Sequence, residues 1–444
     1  MKKDKIYSAI FVILIFTICL VGAILIPADM CPDELGRRQL TDWIVRTGKL
    51  PTGNEEGTVL IGWGFSYAVR PYLTSIIGAF FVKIVSLFTT SDVALWVAAR
   101  MCSILSVTVC GIYCIKIGKI CFKKLSLALL MATLICFIPQ VLFLGMYINN
   151  DSLSLCAISM MVYYLAKGQQ DKWTIKTCIG LGVSFSIGLL SYYNIYGWLL
   201  MGGILFLISM IKNKDIENKK SYVIKRLTIV AGICIVLSGW FFVRNGIHHN
   251  GDFIGISVEK IMRAKYSALG FKLYPYRSLK GQGYPMNLFD SAYGPWWRFT
   301  IHSFIGGFGY MTIWLPTFMY NIYECTYALG ILLFLYQAIR KRIDKEKIAL
   351  SVMMLISAII NFGLFFWQSY FRDNQPQGRY IIGISVLLAF IITCAIDQID
   401  LNKLKIKNTK FKKLANIIKP AYILMALWIV LFIISTGTMK KMLG

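Results

Sequence analysis

Apolar residues in this chain fall in long blocks rather than in the short alternations of a soluble core. After a basic start at Lys2, Lys3 and Lys5, the first block runs from Ile6 to Ile26. Further blocks cover approximately 71–88, 92–115, 125–144, 152–166, 173–191, 195–211, 223–243, 316–339, 348–367, 379–396 and 420–437. Most have about the length that crosses a hydrocarbon core of roughly 30 Å. In that core each backbone amide must be bonded within its own segment, so the blocks predict α-helices. A signal peptide has an apolar run of only about 7–15 residues before a small-residue cleavage site. The first block is longer and runs into Pro27-Ala28-Asp29-Met30, so it predicts an uncleaved first helix.

The block at 71–88 decides the sidedness. If it spans, the basic clusters Lys116–Lys124, Lys212–Arg226, Arg340–Lys347 and Lys403–Lys419 fall outside while Lys2–Lys5 stay inside. If it lies in the outer interface, all of them fall inside together, with more than half of the chain's 47 Lys and Arg. Cytoplasmic loops carry the excess of Lys and Arg, which favours the second arrangement. Pro71 suits the first turn of such a helix, and Lys83 interrupts a clean span. The expectation is an all-α polytopic membrane protein of about eleven spanning helices, with its N-terminus in the cytoplasm. It forms a single integral membrane domain over 1–444, with no separate soluble domain. The expected external segments are a first loop over 28–91 holding interfacial helices, a turn at 145–151, a long loop at 244–316, and 369–379.

Composition agrees with this picture. The chain is 57% hydrophobic and 15% charged, against about 45–50% and about 25% in soluble domains. The net charge of +26 is explained by cytoplasmic loops facing anionic lipid, and no nucleic-acid recognition motif accompanies it. Most of the twelve cysteines lie within apolar runs, as small buried hydrophobes do; Cys31 is in a polar external segment.

Candidate chemistry gathers on the expected outer face. Leu35 to Thr47 reads as an amphipathic helix, with Leu40, Trp43, Ile44 and Thr47 on one side, opened by Asp33 and Glu34. First-turn carboxylates complement the helix dipole. They could also take a proton from a hydroxyl or hold a divalent cation. Asn149-Asn150-Asp151 fills a tight turn, where Asp151 is expected to cap the next helix. Arg244, Arg298 and Arg379 lie at membrane boundaries. One such arginine alone is usually a snorkelling anchor, but a guanidinium fork also fits a phosphate. Arg100 is deeper in its apolar run, where a charge is costly unless paired or functional. The long loop carries Tyr274, Tyr276, Tyr284, Tyr293, Trp296 and Trp297, either as an interfacial belt or as a wall for a sugar or polyprenyl chain. His248 and His249 match no metal spacing and read as exposed loop positions.

Several of these motifs resemble, in order, a known family. Pro32-Asp33-Glu34 after the first helix is followed by Trp43-Ile44 and Gly48-Lys49-Leu50-Pro51. The Arg100 helix, Asn149-Asn150-Asp151, Arg244-Asn245, Ser303-Phe304 through Phe308-Gly309, and Gln377-Gly378-Arg379-Tyr380 come after. The pattern looks like that of GT-C membrane glycosyltransferases, such as protein O-mannosyltransferases and lipid A aminoarabinose transferases. The resemblance implies the GT-C fold and transfer of a sugar from a polyprenyl phosphate at the outer membrane face, with inversion, to a cell-envelope glycan, lipid or protein. It makes Asp33 the base or metal-contacting carboxylate, Glu34 its support and Asp151 a second acid. Arg244 and Arg379 would hold the lipid phosphate, and Arg100, Arg298 and Asn150 would line the substrate. A divalent metal ion stays open as cofactor. One departure is visible: Arg37-Arg38 stand where many relatives have a histidine. The abundance of Lys, Ile and Asn points to a low-GC bacterium, its plasma membrane and undecaprenyl phosphate. The rival class is a transporter or flippase, which would place ionisable residues near the midplane and often show paired repeats; no repeat stands out.

Overall fold

A computed structural model describes residues 2–212, 218–283, 295–399 and 420–442. The basic cluster at 403–419 and the loop residues Tyr284 and Tyr293 lie outside the described residues, as do positions 213–217. The described chain is helical apart from two short antiparallel hairpins, Val59–Leu60 with Phe65–Ser66 and Gly307–Phe308 with Ile313–Trp314. It is an integral, multi-pass membrane protein. Among the described residues, seven helices have the length and apolar composition to cross a bilayer: Lys3–Leu25, Asp92–Phe122, Tyr193–Lys212, Lys219–His248, Thr317–Ile339, Lys345–Phe371 and Pro420–Met442.

The other four expected spans, at 125–144, 152–166, 173–191 and 379–396, form shorter or more polar helices. The 125–144 block is broken into Leu125–Cys136 and Pro139–Leu144. Pro139 explains the break, because proline forces the preceding residue out of the α region, and Ile138 is extended. The 152–166 and 173–191 blocks become Asp151–Asp171 and Ile175–Leu189.

Four helices set the frame of the site: α1 (Lys2–Leu25), α2 (Glu34–Thr47), α3 (Leu73–Val85) and α4 (Asp92–Phe122). Helices α1 and α4 run antiparallel and are tied at both ends. At one end Lys119 donates to the Ser8 hydroxyl at 2.9 Å. At the other, Arg100 donates to the carbonyls of Ala23 at 2.8 Å and Ile26 at 2.7 Å. The chain between them therefore leaves and re-enters the bundle at the same end. Helix α3, with 13 residues or about 20 Å, lies in that excursion, packed against α2 and α4.

Arg100 also forks onto Glu34, through Nε to Oε1 at 2.8 Å and Nη2 to Oε2 at 2.9 Å, and Nη2 reaches the Pro27 carbonyl at 3.2 Å. All five guanidinium N–H groups are thus bonded. Glu34 further accepts the Ile148 backbone N–H at 2.9 Å. The two side chains are 1% and 0% exposed, so this is a fully satisfied buried pair joining α1, α2, α4 and the turn before Asp151. The face that α2 buries differs from the expected one. It runs Glu34, Gly36, Arg37, Leu40 and Thr41, because this helix is held by polar bonds as well as by apolar packing. The Thr41 and Ser75 hydroxyls both donate to the Arg37 carbonyl, each at 3.0 Å.

Breaking a buried pair leaves an uncompensated charge, which typically costs about 3–5 kcal/mol. Arg100→Leu or Glu34→Leu alone is expected to lower the melting temperature in detergent sharply, and the double Leu variant to recover much of the loss. Wild-type melting in either single variant would show that the pair does not hold these elements together.

Candidate active site

Asp33 precedes α2 in the left-handed region, at φ 65°, a conformation that Asp tolerates better than most residues. The turn lets neighbouring side chains face opposite ways. Glu34 points into the Arg100 clamp, while Asp33 points into a cavity of about 990 Å³. There the Asp33 Oδ2 accepts from the Arg379 Nη2 at 2.7 Å. The Arg379 Nη1 lies 3.7 Å from the Asp151 Oδ2 and donates to the Tyr147 hydroxyl at 3.5 Å. Its Nε donates to the Gln377 Oε1 at 2.6 Å. One guanidinium is therefore shared between two carboxylates that are 346 and 228 positions away in sequence (379 − 33 and 379 − 151).

Each partner is fixed by its own local structure. Arg379 sits on a 3-10 turn, Gly378–Ile381, pressed against helix Trp296–Gly306. A Cβ on Gly378 would collide with the Phe304 backbone nitrogen and the Thr300 carbonyl. The Gly378 N–H donates to the Ser303 hydroxyl at 2.7 Å, and that hydroxyl lies 3.3 Å from the Pro376 carbonyl. This contact is why Ser303-Phe304 and Gln377-Gly378-Arg379-Tyr380 both matter, though far apart in the chain. Asp151 opens helix Asp151–Asp171. It does not cap that helix: the Asn149 side chain does, accepting the Ser152 N–H at 2.8 Å. Asp151 is left 4% exposed, and its Oδ1 has no partner.

The two carboxylates are pushed apart in acidity. Burial raises Asp33, but the guanidiniums of Arg379 and Arg37 and the Tyr67 hydroxyl outweigh it and leave the carboxyl at about 2. For Asp151, in the turn ahead of its span, burial dominates. Arg379 and Arg37 pull the carboxyl down and Asp33 pushes it up, and it rests at about 6.

Of the other expected site residues, several serve the frame instead. Glu34 and Arg100 hold each other and do not line the cavity, so the expectation that Arg100 binds substrate is corrected. Asn150 donates to the carbonyls of Pro71 at 3.0 Å and Ser191 at 2.7 Å, tying two segments behind Asp151. Arg244 donates to the Leu50 carbonyl and does not line the cavity. Arg298 is exposed on its helix and is likewise absent from the lining. His249, expected to be exposed, is buried and bonded to the Thr52 carbonyl at 2.9 Å. Cys31 is buried despite its polar surroundings, and all twelve cysteines are free.

Sequence reasoning missed Arg37 and Tyr67. Arg37 is 3% exposed and stacks on the Tyr67 ring at 4.8 Å, the second cation acting on both carboxylates. Its signal was there, an arginine three residues before Leu40 on the buried face. Among the described residues no three His, Cys, Asp or Glu side chains converge as a metal site. Asp33 and Asp151 converge instead on the Arg379 guanidinium, which fills the position between them. The donor set does not fit a shared divalent ion.

Residues 71–240 match the family model described as dolichyl-phosphate-mannose-protein mannosyltransferase. Along nearly its whole length the chain resembles ArnT from Cupriavidus metallidurans. The apo form matches at TM-score 0.55 and 13% identity, over 99% of this chain and 72% of that one. The form bound to undecaprenyl phosphate matches at 0.55 and 12%, over 99% and 73%. The archaeal oligosaccharyltransferase AglB from Archaeoglobus fulgidus, in complex with an inhibitory peptide and a dolichol-phosphate, matches at 0.50 and 14%, over 95% and 55%. No curated protein matches the chain by sequence. The chain thus has the fold of ArnT along nearly its whole length, and between residues 71 and 240 it is similar to the dolichyl-phosphate-mannose-protein mannosyltransferase family.

Proposed function

We propose that the chain transfers a sugar from a polyprenyl phosphate to a hydroxyl or amine of a cell-envelope acceptor, with inversion, at the outer face of the plasma membrane. The observation that carries this reading is the Asp33–Arg379 pair in the cavity, backed by the two similar structures that hold lipid phosphates.

The distribution of charge supports this sidedness. Lys119 meets Ser8 beside the basic N-terminus, and Lys124 and Lys347 both pair with Asp397, at 2.9 Å and 3.6 Å. The ends of α1 and α4 joined there, the start of helix Lys345–Phe371 and the end of helix Ile384–Asp397 thus share one basic end. Arg100 on α4, Asp33 in the segment after α1 and Arg379 in the turn before helix Ile384–Asp397 are at the opposite end. Basic ends face the cytoplasm, which supports an outward-facing cavity.

In the reaction the acceptor oxygen or nitrogen bonds to the anomeric carbon as the bond to the phosphate oxygen breaks. The electron pair leaves on the phosphate and the acceptor proton passes to Asp33. A carboxyl at about 2 stays ionised at every physiological pH and can always accept a hydrogen bond from the nucleophile. It takes the proton only after bond formation has acidified that group. Phosphate needs no general acid, but it needs positive charge as it departs. Arg379 supplies that charge and is already oriented by Gln377 and Tyr147.

Three outcomes follow. Asp33→Asn is expected to lower transfer by about 10²–10⁴-fold while the protein still inserts and purifies; full activity in this variant would sink the reading. Gly378→Ala is expected to lose transfer as Arg379 shifts, with stability reduced by about 1–3 kcal/mol; an unchanged rate and melting temperature would exclude the close approach. The third concerns pH. With both carboxylates ionised, the two aspartates balance Arg37 and Arg379. Protonating Asp151, which happens as pH falls through about 6, leaves one net positive charge and frees the Arg379 Nη1. Affinity for a glycosyl phosphodiester donor, singly charged throughout, is therefore expected to rise below about pH 6. In Asp151→Asn it should be high and flat; a persisting slope would assign the titration elsewhere.

A further inference from the structure

The same cavity is lined by further polar side chains whose chemistry the transfer step does not use. Asn374, in the segment after helix Lys345–Phe371, lines the cavity and is 5% exposed. Its backbone is fixed by donation to the Arg277 carbonyl at 2.7 Å, yet neither its side-chain oxygen nor its side-chain nitrogen has a partner. Gln39, on α2, also lines the cavity and has a buried, unpartnered Oε1. Buried amides without partners are rare in folded proteins and call for an explanation. Two of them in one cavity offer both donors and acceptors to a ligand.

Aromatic rings line the same cavity. Trp63, at the tip of the first hairpin, packs against Tyr274 with ring centroids 5.1 Å apart, and the Tyr274 N–H holds the Gly62 carbonyl at 2.8 Å. Arg263 fastens this corner from behind, donating to the Trp63 and Tyr274 carbonyls. A rigid ring face beside paired amides suits a sugar ring, which has an apolar C–H face and hydroxyl edges.

Charge narrows the sugar. The carboxylates lining the cavity are Asp29, Asp33 and Asp373, and each is partnered. Asp29 accepts from the Tyr310 hydroxyl at 3.0 Å and Asp33 from Arg379. Asp373 accepts from the Gln375 Nε2 at 2.7 Å and the Arg277 N–H at 3.2 Å. The buried unpartnered groups are neutral amides, and the other lining charge, Arg277, is an exposed cation, so no free carboxylate is offered to a cationic sugar. We propose that Asn374 and Gln39, with Trp63 as platform, form the subsite that selects a hydroxyl-bearing glycosyl unit without a cationic group on the donor. This rests on the function proposed above and adds which residues read the sugar.

The test separates sugar from carrier by measuring binding of undecaprenyl phosphoglucose and of bare undecaprenyl phosphate to the purified full-length protein in nanodiscs. Asn374→Leu is expected to weaken the glucosyl lipid about tenfold or more and to leave the bare lipid unchanged, which also reports that the variant is folded. Gln39→Leu should act in the same direction and carries the test if the first variant does not fold. Asn374→Asp should shift preference toward an undecaprenyl phosphate bearing a cationic aminopentose. Equal losses for both lipids, no loss for either, or a wild-type preference for the cationic sugar overturns the subsite while leaving the proposed function standing. Failure of the wild type to bind either lipid overturns both.

Discussion

The fork between Arg100 and Glu34 is the contact from which the site's geometry is built. A guanidinium this deep is tolerable only because every one of its N–H groups is bonded and its charge is met bidentately. The bonds it makes reach α1, α2 and α4, and Glu34 extends the reach to Ile148 beside Asn149-Asn150-Asp151. One buried pair therefore fixes the relative depth of Asp33 and Asp151. Neither carboxylate could be held near a shared cation if the first loop were free to slide along the membrane.

From that anchor the geometry separates two adjacent acidic residues into two tasks. The left-handed turn at Asp33 sends one carboxylate into the cavity and leaves the next in the frame. Strained backbone of this kind persists only where the surroundings over-determine it, and it tends to occur at functional sites. Here the Arg100 clamp lies on one side and Arg379 on the other. The difference in acidity between Asp33 and Asp151 has the same origin. Asp33 has a close charged partner and partial exposure, whereas Asp151 is nearly sealed and meets Arg379 only at 3.7 Å.

The membrane class was legible because the bilayer imposes lengths that a sequence displays directly, as the blocks at 6–26 and 92–115 show. The break at Pro139 was legible in principle, since proline's effect is local, but an apolar run hides it. Asp33, Asp151 and Arg379 could be picked out as short motifs on one expected face. What could not be read was which charged side chains are used internally. Arg100 is deeper in its apolar run than Arg379, but depth alone does not tell a clamp from a site residue. Their roles are set by partners 66 and 346 positions away. Arg37 shows the same limit from the other side: as half of an Arg-Arg pair it read only as a departure from the relatives' histidine. Its position over Tyr67 comes from the helix face that α2 turns inward.

That departure has a physical consequence. A histidine near neutral pH supplies a fractional, switchable charge, while arginine supplies a permanent one. With Arg37 and Arg379 both fixed in charge, the balance among these four groups turns on Asp151, because Asp33 remains ionised far below the physiological range. On the proposed reading, an arriving phosphodiester would add a negative charge in contact with Arg379, and by linkage it would raise the Asp151 carboxyl further. Donor binding and proton uptake at Asp151 would then be one event, the proton replacing the charge compensation that Arg379 gives to the phosphate. A site with two arginines and two aspartates would in this way stay near neutrality with and without the donor.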